Sequence, residues 1–408
     1  MSELSYLGKL LDGVEVEWKM LGEVIHSLKT GLNPRQNFSL NTLDAQGYYV
    51  TVREIQNGKV VFLDKTDRVN DRALKIINGR SNLEAGDILF SGTGTVGRIA
   101  VIEENPINWN IKEGVYTIKP IKEKIAPRFL SYLLQSSKIV KDYSKKIVGN
   151  PVISLPMGDL KKLLIPIPCP DNPEKSLAIQ SEIVRILDKF TALTAEITAE
   201  ITAELNMRKK QYNYYRDQLL SFKEGEVEWK TLGEVAVIGT GNHDTQDAIE
   251  HGKYIFYARG REPLKLNVFD FDETAIITAG DGAGVGKVFH YAKGKYALHQ
   301  RAYRIVPNAF MNPRFVYHYI TAYFFTYIQK ASVSSSVTSL RRPMFLKFPI
   351  PVPPSEEQAR IVEILDKFDT LTNSITEGLP REIELRQKQY EYYRDLLFSF
   401  PKPETVSN

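Results

Sequence analysis

Apolar residues in two parts of the chain recur at the spacing of long helices. In the first part they fall at steps of three and four from Ile179 to Leu205 and from Tyr212 to Leu219, with no Gly or Pro after Pro173. A helix of about 45 residues would be about 65–70 Å long. One narrow apolar stripe on so long a helix needs a partner helix. We therefore predict that it pairs with a similar segment that begins near Ile361.

The two stripes belong to an internal repeat. Residues 183–190 recur almost unchanged as 361–368, and residues 208–217 recur as 386–395, each 178 positions further on. Residues 15–24 recur as 226–235, which lie 211 positions further on. The two copies thus agree at their ends and differ by 33 residues in their middles. This pattern is typical of a symmetric scaffold that carries two unlike modules.

The predicted helix-pairing residues come from both copies. They are Ile183, Ile186, Phe190, Leu193 and Ile197 in the first copy and Ile361, Ile364, Phe368, Leu371 and Ile375 in the second. The alternative is two separate helices, each buried in an ordinary domain. The symmetry is only approximate, because residues 194–205 form three tandem units of Thr-Ala-Glu-Ile or Thr-Ala-Glu-Leu, whereas Gly378 and Pro380 should break or kink the second helix.

The sequence patterns in the middle of each copy predict a domain that mixes strands and helices. β-branched and aromatic segments bounded by turn residues predict strands, and each middle also holds one helical segment and a closing strand with prolines. The predicted strands are 47–53, 88–90, 97–102, 114–119 and 164–168, then 254–257, 275–278, 286–291, 303–306 and 348–353, and the predicted helices are 129–140 and 314–329. The fold class is therefore α+β: two mixed α/β domains separated by two long antiparallel coiled-coil helices.

These elements divide the chain into five segments. We predict a first domain over residues 1–168, a spacer helix over 169–222, a second domain over 223–353, a second spacer helix over 354–400 and a disordered tail over 401–408. A chain of 408 residues with 43% hydrophobic and 25% charged residues has material for two or more domains.

Composition narrows the class of protein further. A single cysteine, Cys169, excludes an intrachain disulfide, and the chain opens on a polar stretch with no apolar run of the roughly 18–20 residues that span a bilayer. We therefore expect a cytoplasmic protein without a membrane span. The net charge of +4 permits nucleic-acid binding through local patches but does not indicate it.

Two glycine-rich runs resemble cofactor motifs without their context. Gly92-Thr-Gly-Thr-Val-Gly97 satisfies the dinucleotide fingerprint, and residues 280–286 form its counterpart in the second copy. That fingerprint requires a helix directly after the glycines, whose N-terminus meets a pyrophosphate. Here strand-like residues follow both runs. We therefore predict tight turns between strands, with no cofactor in this chain.

No arrangement of side chains in the sequence indicates catalysis. Six histidines and one cysteine lack metal-ligand spacing, and no hydrolase, zinc-protease or aminomethyltransferase motif is present. We expect no catalytic and no metal site. Loops that mix Arg, Lys, Gln, Asn, Ser and Tyr remain, and these side chains read base edges or hold phosphates. The candidate DNA-binding residues are Lys29, Thr30, Asn33, Arg35, Arg53, Thr93, Thr95, Arg98, Tyr257, Arg259, Arg261, Asp281, Lys287, His299, Gln300, Arg301, Ser335, Arg341 and Arg342.

In combination, these parts resemble a known family. The motifs are Val-Glu-Trp-Lys-x-Leu-Gly-Glu-Val, the glycine turn before a strand, the Ile-Pro-Ile-Pro exit, Ile-Val-x-Ile-Leu-Asp-Lys-Phe and Gln-Tyr-x-Tyr-Tyr-Arg-Asp. Their order over residues 15–400 resembles the specificity subunit of type I restriction-modification enzymes, often called HsdS.

The resemblance implies a non-catalytic subunit that binds double-stranded DNA. Each domain would read one half of a bipartite site, and the helices would be spacers. Two methyltransferase subunits would modify adenine at N6 with S-adenosylmethionine, and restriction subunits would add ATP- and Mg²⁺-dependent translocation. The tandem units at 194–205 are similar to the repeats whose number alters half-site spacing in this family.

Two rival classes remain open at this point. A coiled-coil scaffold that binds only proteins would show no salt-dependent DNA affinity. An enzyme, whether it used the glycine turns to bind a nucleotide or cleaved DNA, would hydrolyse or cleave as the purified chain alone.

Overall fold

The computed structural model describes residues 4–34, 37–223, 225–282, 284–331, 339–374 and 376–401. The chain forms two compact units, the first from residues 1–199 and 384–408 and the second from residues 200–383. Each spacer helix contributes residues to both units. The contacts thus divide the chain differently from the five predicted segments. Residues 402–408, most of the predicted tail, lie outside the described residues.

The first unit contains small sheets covered by short helices. Its strands are β1 (Val16–Met20), β2 (Ile25–Thr30), β3 (Gly47–Val50), β4 (Ile55–Gln56), β5 (Lys59–Val60), β6 (Arg68–Val69), β7 (Ile88–Ser91), β8 (Ile99–Val101), β9 (Trp109–Ile111), β10 (Val115–Pro120) and β11 (Leu164–Pro168). Its helices are α1 (Leu4–Leu11), α2 (Asp71–Arg80), α3 (Pro127–Leu134), α4 (Ser137–Ser144) and α5 (Met157–Lys161). The order β2-β10-β7-β8 forms an antiparallel sheet, and β6-β3-β9 forms a second sheet.

The repeated motif that opens each copy forms the same structure in both units. In the first unit β1 pairs antiparallel with the proline-rich strand β11, so that Val16 lies opposite Pro168. Proline is tolerated in β11 because each sheet here has only two strands, whose outer edges need no donor. In the second unit β12 (Glu228–Thr231) pairs with β19 (Pro349–Val352) in the same way. The repeated ends of the two copies are thus joined within each unit.

The second unit is built on a six-stranded sheet of order β13-β18-β16-β17-β14-β15. These strands are β13 (Ala236–Thr240), β14 (Tyr254–Tyr257), β15 (Leu264–Leu266), β16 (Phe271–Ala279), β17 (Phe289–Leu298) and β18 (Ala302–Pro307). The remaining helices of the chain are α6 (Pro173–Leu219), α7 (Leu232–Val235), α8 (Pro313–Ala331), α9 (Arg342–Leu346), α10 (Ser355–Asn373) and α11 (Leu379–Leu397). The buried face of α8, with Phe315, Ile320 and Phe324, belongs to the main core of this unit.

Three helix predictions meet different outcomes. The first spacer helix is confirmed as α6, which has 47 residues. The second is interrupted at the predicted break, because α10 ends at Asn373 and α11 begins at Leu379, with Gly378 at a φ of +82°. Pro380 lies in the first turn of α11, where no intrahelical N–H donor is needed. The predicted helix 129–140 is wrong as one element, since the Ser136 hydroxyl donates to Leu133 O between α3 and α4.

Candidate functional site

A buried glutamine anchors each spacer helix to the domain of its own unit. Gln180 is fully buried in α6, where its Oε1 accepts from the backbone N–H of Ala126 and its Nε2 donates to Lys124 O, at 2.8 and 3.0 Å. Gln358, 178 positions further on, accepts from Asn312 N–H at 2.7 Å in the same way. Polar side chains on an apolar stripe thus fix how each helix meets its domain.

An aspartate that lies eight residues after each glutamine also attaches the helix to the domain. Asp188 accepts from Arg128 Nη2 and from the Tyr132 hydroxyl, both at 2.7 Å. Asp366 accepts from Arg314 Nη2 at 2.6 Å and lies 2.7 Å from the Nε2 of His318. These pairs were not predicted from the sequence. The repeated tripeptide Pro-Arg-Phe, at 127–129 and 313–315, is the signal that would have found them.

The predicted pairing of the helices is confirmed at one equivalent contact in each unit. Phe190 stacks on Tyr393 with ring centroids 5.3 Å apart, and Phe368 stacks on Tyr215 at 5.6 Å. Phe190 and Phe368 are equivalent in the repeat, as are Tyr215 and Tyr393. The same aromatic pair therefore recurs between the spacer helices of both units.

Other members of the predicted pairing set have different roles. Ile183 and Ile361 are fully buried in the cores of their own units, because the first turns of α6 and α10 pack against the domains. Leu193 is half exposed. The remaining members, Ile186, Ile197, Ile364 and Leu371, are partly buried, and Ile375 lies outside the described residues.

The described residues of both glycine runs form turns between strands, as predicted. Residues 92–97 connect β7 to β8, with Gly94 and Gly97 at φ values of +79° and +96°. A Cβ at Gly92 would overlap the ring of Tyr116, so this glycine permits a close approach of the backbone. Residues 280–286 connect β16 to β17, although Lys287 lies in the turn and the strand begins only at Phe289.

In the first unit the candidate residues fall into two neighbouring groups. Around Gly114, Thr30 is buried and its Oγ1 accepts from Gly114 N–H, while a Cβ on Gly114 would lie 3.0 Å from that of Thr93. Arg98 donates to Val52 O at 3.1 Å, which brings it beside Arg53. The buried position of Thr30 assigns it to the support of the turn.

Arg53 also forms an ion pair, and the other candidates of the first unit differ in their surroundings. Arg53 pairs with Asp67 at 3.1 Å, and Thr95 is exposed in the glycine turn. Lys29 lines a cavity between β2, β10 and the segment that follows α2, together with Thr117 and Lys119, which were not predicted from the sequence. Asn33 is partly buried, and Arg35 lies outside the described residues.

In the second unit the structure brings together loops that are distant in sequence. Asp281, in the glycine turn, accepts from Arg259 Nη1 at 3.0 Å and from Arg301 Nη1 at 3.1 Å. Partial burial raises the pKa of Asp281, but the hydrogen bonds and charges of the two arginines outweigh it and hold this pKa below its ordinary value. The carboxylate is therefore ionised and fixes both guanidinium groups. We call Arg259, Asp281 and Arg301 the arginine cluster.

The turn between β17 and β18 supports this cluster from behind. His299 is 1% exposed and its Nδ1 accepts from the backbone N–H of Arg301 at 2.9 Å. Burial lowers the pKa of His299, and the nearby positive charge of Arg259 lowers it further, so the ring is neutral near pH 7. Gln300 donates to Asp244 at 3.1 Å. His299 is thus a support for Arg301 with almost no exposed surface of its own.

The other candidates of the second unit surround the arginine cluster or lie apart from it. The segment that leads into Arg341 and Arg342 is held to the glycine turn, since Leu340 N–H donates to Gly280 O at 2.7 Å. Both arginines, like Arg261, are exposed. Tyr257 is largely buried, and the Nζ of Lys287 lies 4.8 Å from the ring of Phe325. Ser335 lies outside the described residues.

Comparison with known proteins identifies the family. The family model described as the type I restriction modification DNA specificity domain matches residues 14–207 and 224–385. The EcoR124I/EcoR124II specificity subunit of Escherichia coli is 41% identical over the full length of both chains. The EcoprrI specificity subunit of Escherichia coli is 38% identical over 92% of this chain and 93% of its own. The chain belongs to the type I restriction-modification specificity family.

The fold agrees with this membership. A chain from a solved type I restriction-modification system, described in work on complex assembly and conformational transition, superposes with a TM-score of 0.59 at 17% identity, over 94% of this chain and 97% of that one. The two matched segments correspond to the two copies of the repeat. Because specificity subunits are the non-catalytic components of these systems, membership of the family confirms the prediction that the chain is not an enzyme by itself.

Two kinds of feature are absent from the part of the chain that the structure describes. No group of three or more His, Cys, Asp or Glu in this part of the chain is arranged to hold a metal ion. Among the helices of the same residues, none is long and apolar enough to cross a membrane.

The aspartate network of the second unit predicts a pH-dependent stability. In Asp366→Ala the fully buried His318 loses its partner, and a buried group left unpaired costs about 1–3 kcal/mol of unfolding free energy. Burial raises the pKa of Asp366, but His318 and Arg314 outweigh it, so the folded pKa lies below the ordinary 3.8. The stabilisation is therefore complete above about pH 4 and decreases as pH falls through the folded pKa.

Urea unfolding from pH 3 to pH 7 measures this effect. We expect the difference between wild type and Asp366→Ala to be largest near neutral pH and to shrink below pH 4. Glu363→Ala, which removes a highly exposed partner of Lys367, is the control and should leave stability unchanged. A difference that grew as the pH fell would contradict the assigned role of Asp366.

Proposed function

We propose that this chain is the DNA-reading subunit of a type I restriction-modification complex, in which each unit reads one half of a bipartite site. It directs adenine-N6 methyltransferase subunits and ATP-dependent restriction subunits to that site. Each unit presents its own set of polar loops on the same anchored scaffold.

The observation that carries this proposal is the contrast between equal anchors and unequal loops. Gln180 and Gln358 hold their helices through the same kind of backbone hydrogen bond, and Asp188 and Asp366 each bind an arginine of a Pro-Arg-Phe segment. The loops differ, since charged residues form the arginine cluster in the second unit where small residues surround Gly114 in the first. Two different sets of loops on one repeated scaffold fit a DNA site of two unlike halves.

The chemistry would come from the partners. The family's methyltransferase subunits would supply S-adenosylmethionine, and its restriction subunits would supply ATP and Mg²⁺. This chain would contribute binding energy and orientation through side chains that contact phosphates and base edges.

Two methyltransferase subunits fit the repeated surface of the spacer helices. Tyr214 and Tyr392 occupy equivalent positions and are 61% and 48% exposed. Aromatic residues are enriched in protein interfaces relative to the rest of a protein surface. Because the same exposed aromatic residue recurs once in each unit, the chain offers two equivalent surfaces for one kind of partner.

The test is to produce the chain with the methyltransferase subunit of its own system and to map N6-methyladenine in a host that lacks other adenine methylation. We expect one bipartite motif with an unspecified gap. A stable complex that methylates no motif would contradict the proposed reading of DNA.

The salt dependence of binding tests the same function without catalysis. A complex that neutralises six to ten phosphates should lose about 10³–10⁵-fold in affinity between 50 and 200 mM salt. Fluorescence anisotropy of a labelled duplex that carries the mapped site measures this dependence. Affinity independent of salt would instead support a scaffold that contacts only proteins.

A further inference from the structure

The arginine cluster has the geometry of a preformed binding site for hydrogen-bond acceptors. The two oxygens of Asp281 each accept one hydrogen bond, Oδ1 from Arg259 and Oδ2 from Arg301. The side chain of Asp281 is 25% exposed, whereas those of Arg259 and Arg301 are 39% and 63% exposed. One carboxylate at the base thus orients two outward guanidinium groups, and each retains donors beyond the Nη1 that binds Asp281.

The backbone beneath the cluster is fixed as well. Arg301 O accepts from Gly280 N–H at 2.8 Å, and Arg301 N–H donates to the buried His299. Asp281 forms a β-bridge with Ser339. The two turns that carry Asp281 and Arg301 are therefore held to each other through main-chain contacts, which reduces the entropy lost when the side chains bind a ligand.

The first unit has the same backbone arrangement without these charges. Gly92 N–H donates to Gly114 O at 2.8 Å, as Gly280 N–H does to Arg301 O, and Thr93 forms a β-bridge with Ser154, as Asp281 does with Ser339. Gly114 thus takes the place of Arg301, and Thr93 that of Asp281. The scaffold does not need the cluster, because the equivalent turn in the first unit forms without it.

We propose that Arg259 and Arg301, oriented by Asp281 as a positioning residue, read guanine in the half-site that the second unit contacts. This inference rests on the proposed function and adds a base and the residues that select it. The pairing of arginine with the O6 and N7 acceptors of guanine is the commonest specific contact between a side chain and a base.

Two alternatives fit the cluster less well. A phosphate group would attract the arginines, but the carboxylate of Asp281 cancels one of their two charges and would repel it. A purely structural role would add little, because ion pairs with exposed partners contribute little to stability. A neutral base with two acceptors matches two oriented donors beside a fixed negative charge.

Lysine variants keep the positive charge but lose the planar guanidinium group, so they test whether these arginines read guanine. In the complex with the methyltransferase, Arg301→Lys and Arg259→Lys should relax the selection for a guanine in the second half-site. The sequence of the first half-site should stay unchanged. Loss of one bidentate pair should lower discrimination roughly 5- to 150-fold, the equivalent of about 1–3 kcal/mol. Asp281→Asn should also lower discrimination, with an unchanged melting temperature. Arg360→Lys, on an exposed face of α10, is the matched control.

Modified duplexes separate guanine from phosphate. Replacement of guanine by 7-deazaguanine removes N7 and leaves every phosphate in place. At one position of the second half-site this replacement should lower the DNA affinity of the wild-type complex. The loss of affinity should be smaller in Arg301→Lys or Arg259→Lys. A uniform loss of affinity in the lysine variants, with the motif intact, would overturn the assignment in favour of phosphate binding. A second half-site that contains no guanine would overturn it as well. Failure of the wild-type complex to select any motif would instead refute the proposed function.

Discussion

Deletion of residues 198–201, one of the tandem units in α6, is expected to shorten the unspecified gap of the DNA site by about one base pair and to leave both half-sites unchanged. Four residues turn a helix by about 400°, a net rotation of 40°. One base pair turns DNA by roughly 34–36°. The match in rise is poorer, at about 6 Å for four residues and about 3.4 Å for one base pair. The rotational match is the reason to expect a change of a single base pair.

The deletion variant should exchange one target for another. Specific and nonspecific DNA binding differ by about 10³–10⁷-fold, so the original sites should lose nearly all methylation while sites with the shorter gap gain it. Maps of N6-methyladenine for the two complexes, made in the same host, measure the exchange. The double substitution Thr198→Ala and Glu200→Ala keeps the helix length and should keep the original gap. An unaltered gap in the deletion variant would refute the link between helix length and spacing.

Elements governed by local pattern could be predicted from the sequence. The 47-residue helix follows from an apolar stripe without glycine or proline, and the break before α11 follows from Gly378. The strand Tyr254–Tyr257 matches its prediction because aromatic residues lie between clear turn signals. Each of these outcomes depends on neighbours within a few residues.

Features that depend on distant neighbours could not be predicted in the same way. The stripe of α6 was read as a seam for helix pairing, but Ile183 is buried in a domain core because Gln180 and Asp188 attach this stretch to the domain. The candidate loops of the second unit were selected by composition. Only the pairing of strands β16, β17 and β18 brings Asp281 and Arg301 together.

Replacement of Gln358 by Leu is expected to destabilise the second unit by about 2–4 kcal/mol. Gln358 is 1% exposed, accepts from Asn312 N–H and donates to Pro353 O at 2.8 Å. Leucine has a similar size, so a cavity is not the cause. The loss arises because a partly buried N–H and a buried carbonyl lose their partner, at about 1–3 kcal/mol for the buried group and less for the partly buried one.

The two units allow an internal comparison of this effect. Hydrogen–deuterium exchange read by mass spectrometry should show faster exchange in α8 and α10 for Gln358→Leu, and in α3 and the first turns of α6 for Gln180→Leu. Each variant should leave the other anchor protected, because among the described residues each glutamine makes hydrogen bonds only to residues of its own unit. Gln387→Leu, at an exposed position of α11, is the control and should change neither pattern. Equal protection in wild type and both buried variants would show that the glutamines do not anchor the helices. If each variant loses protection only at its own anchor, the two halves of the scaffold are equivalent and anchored separately. Independent reading of two half-sites requires such an arrangement.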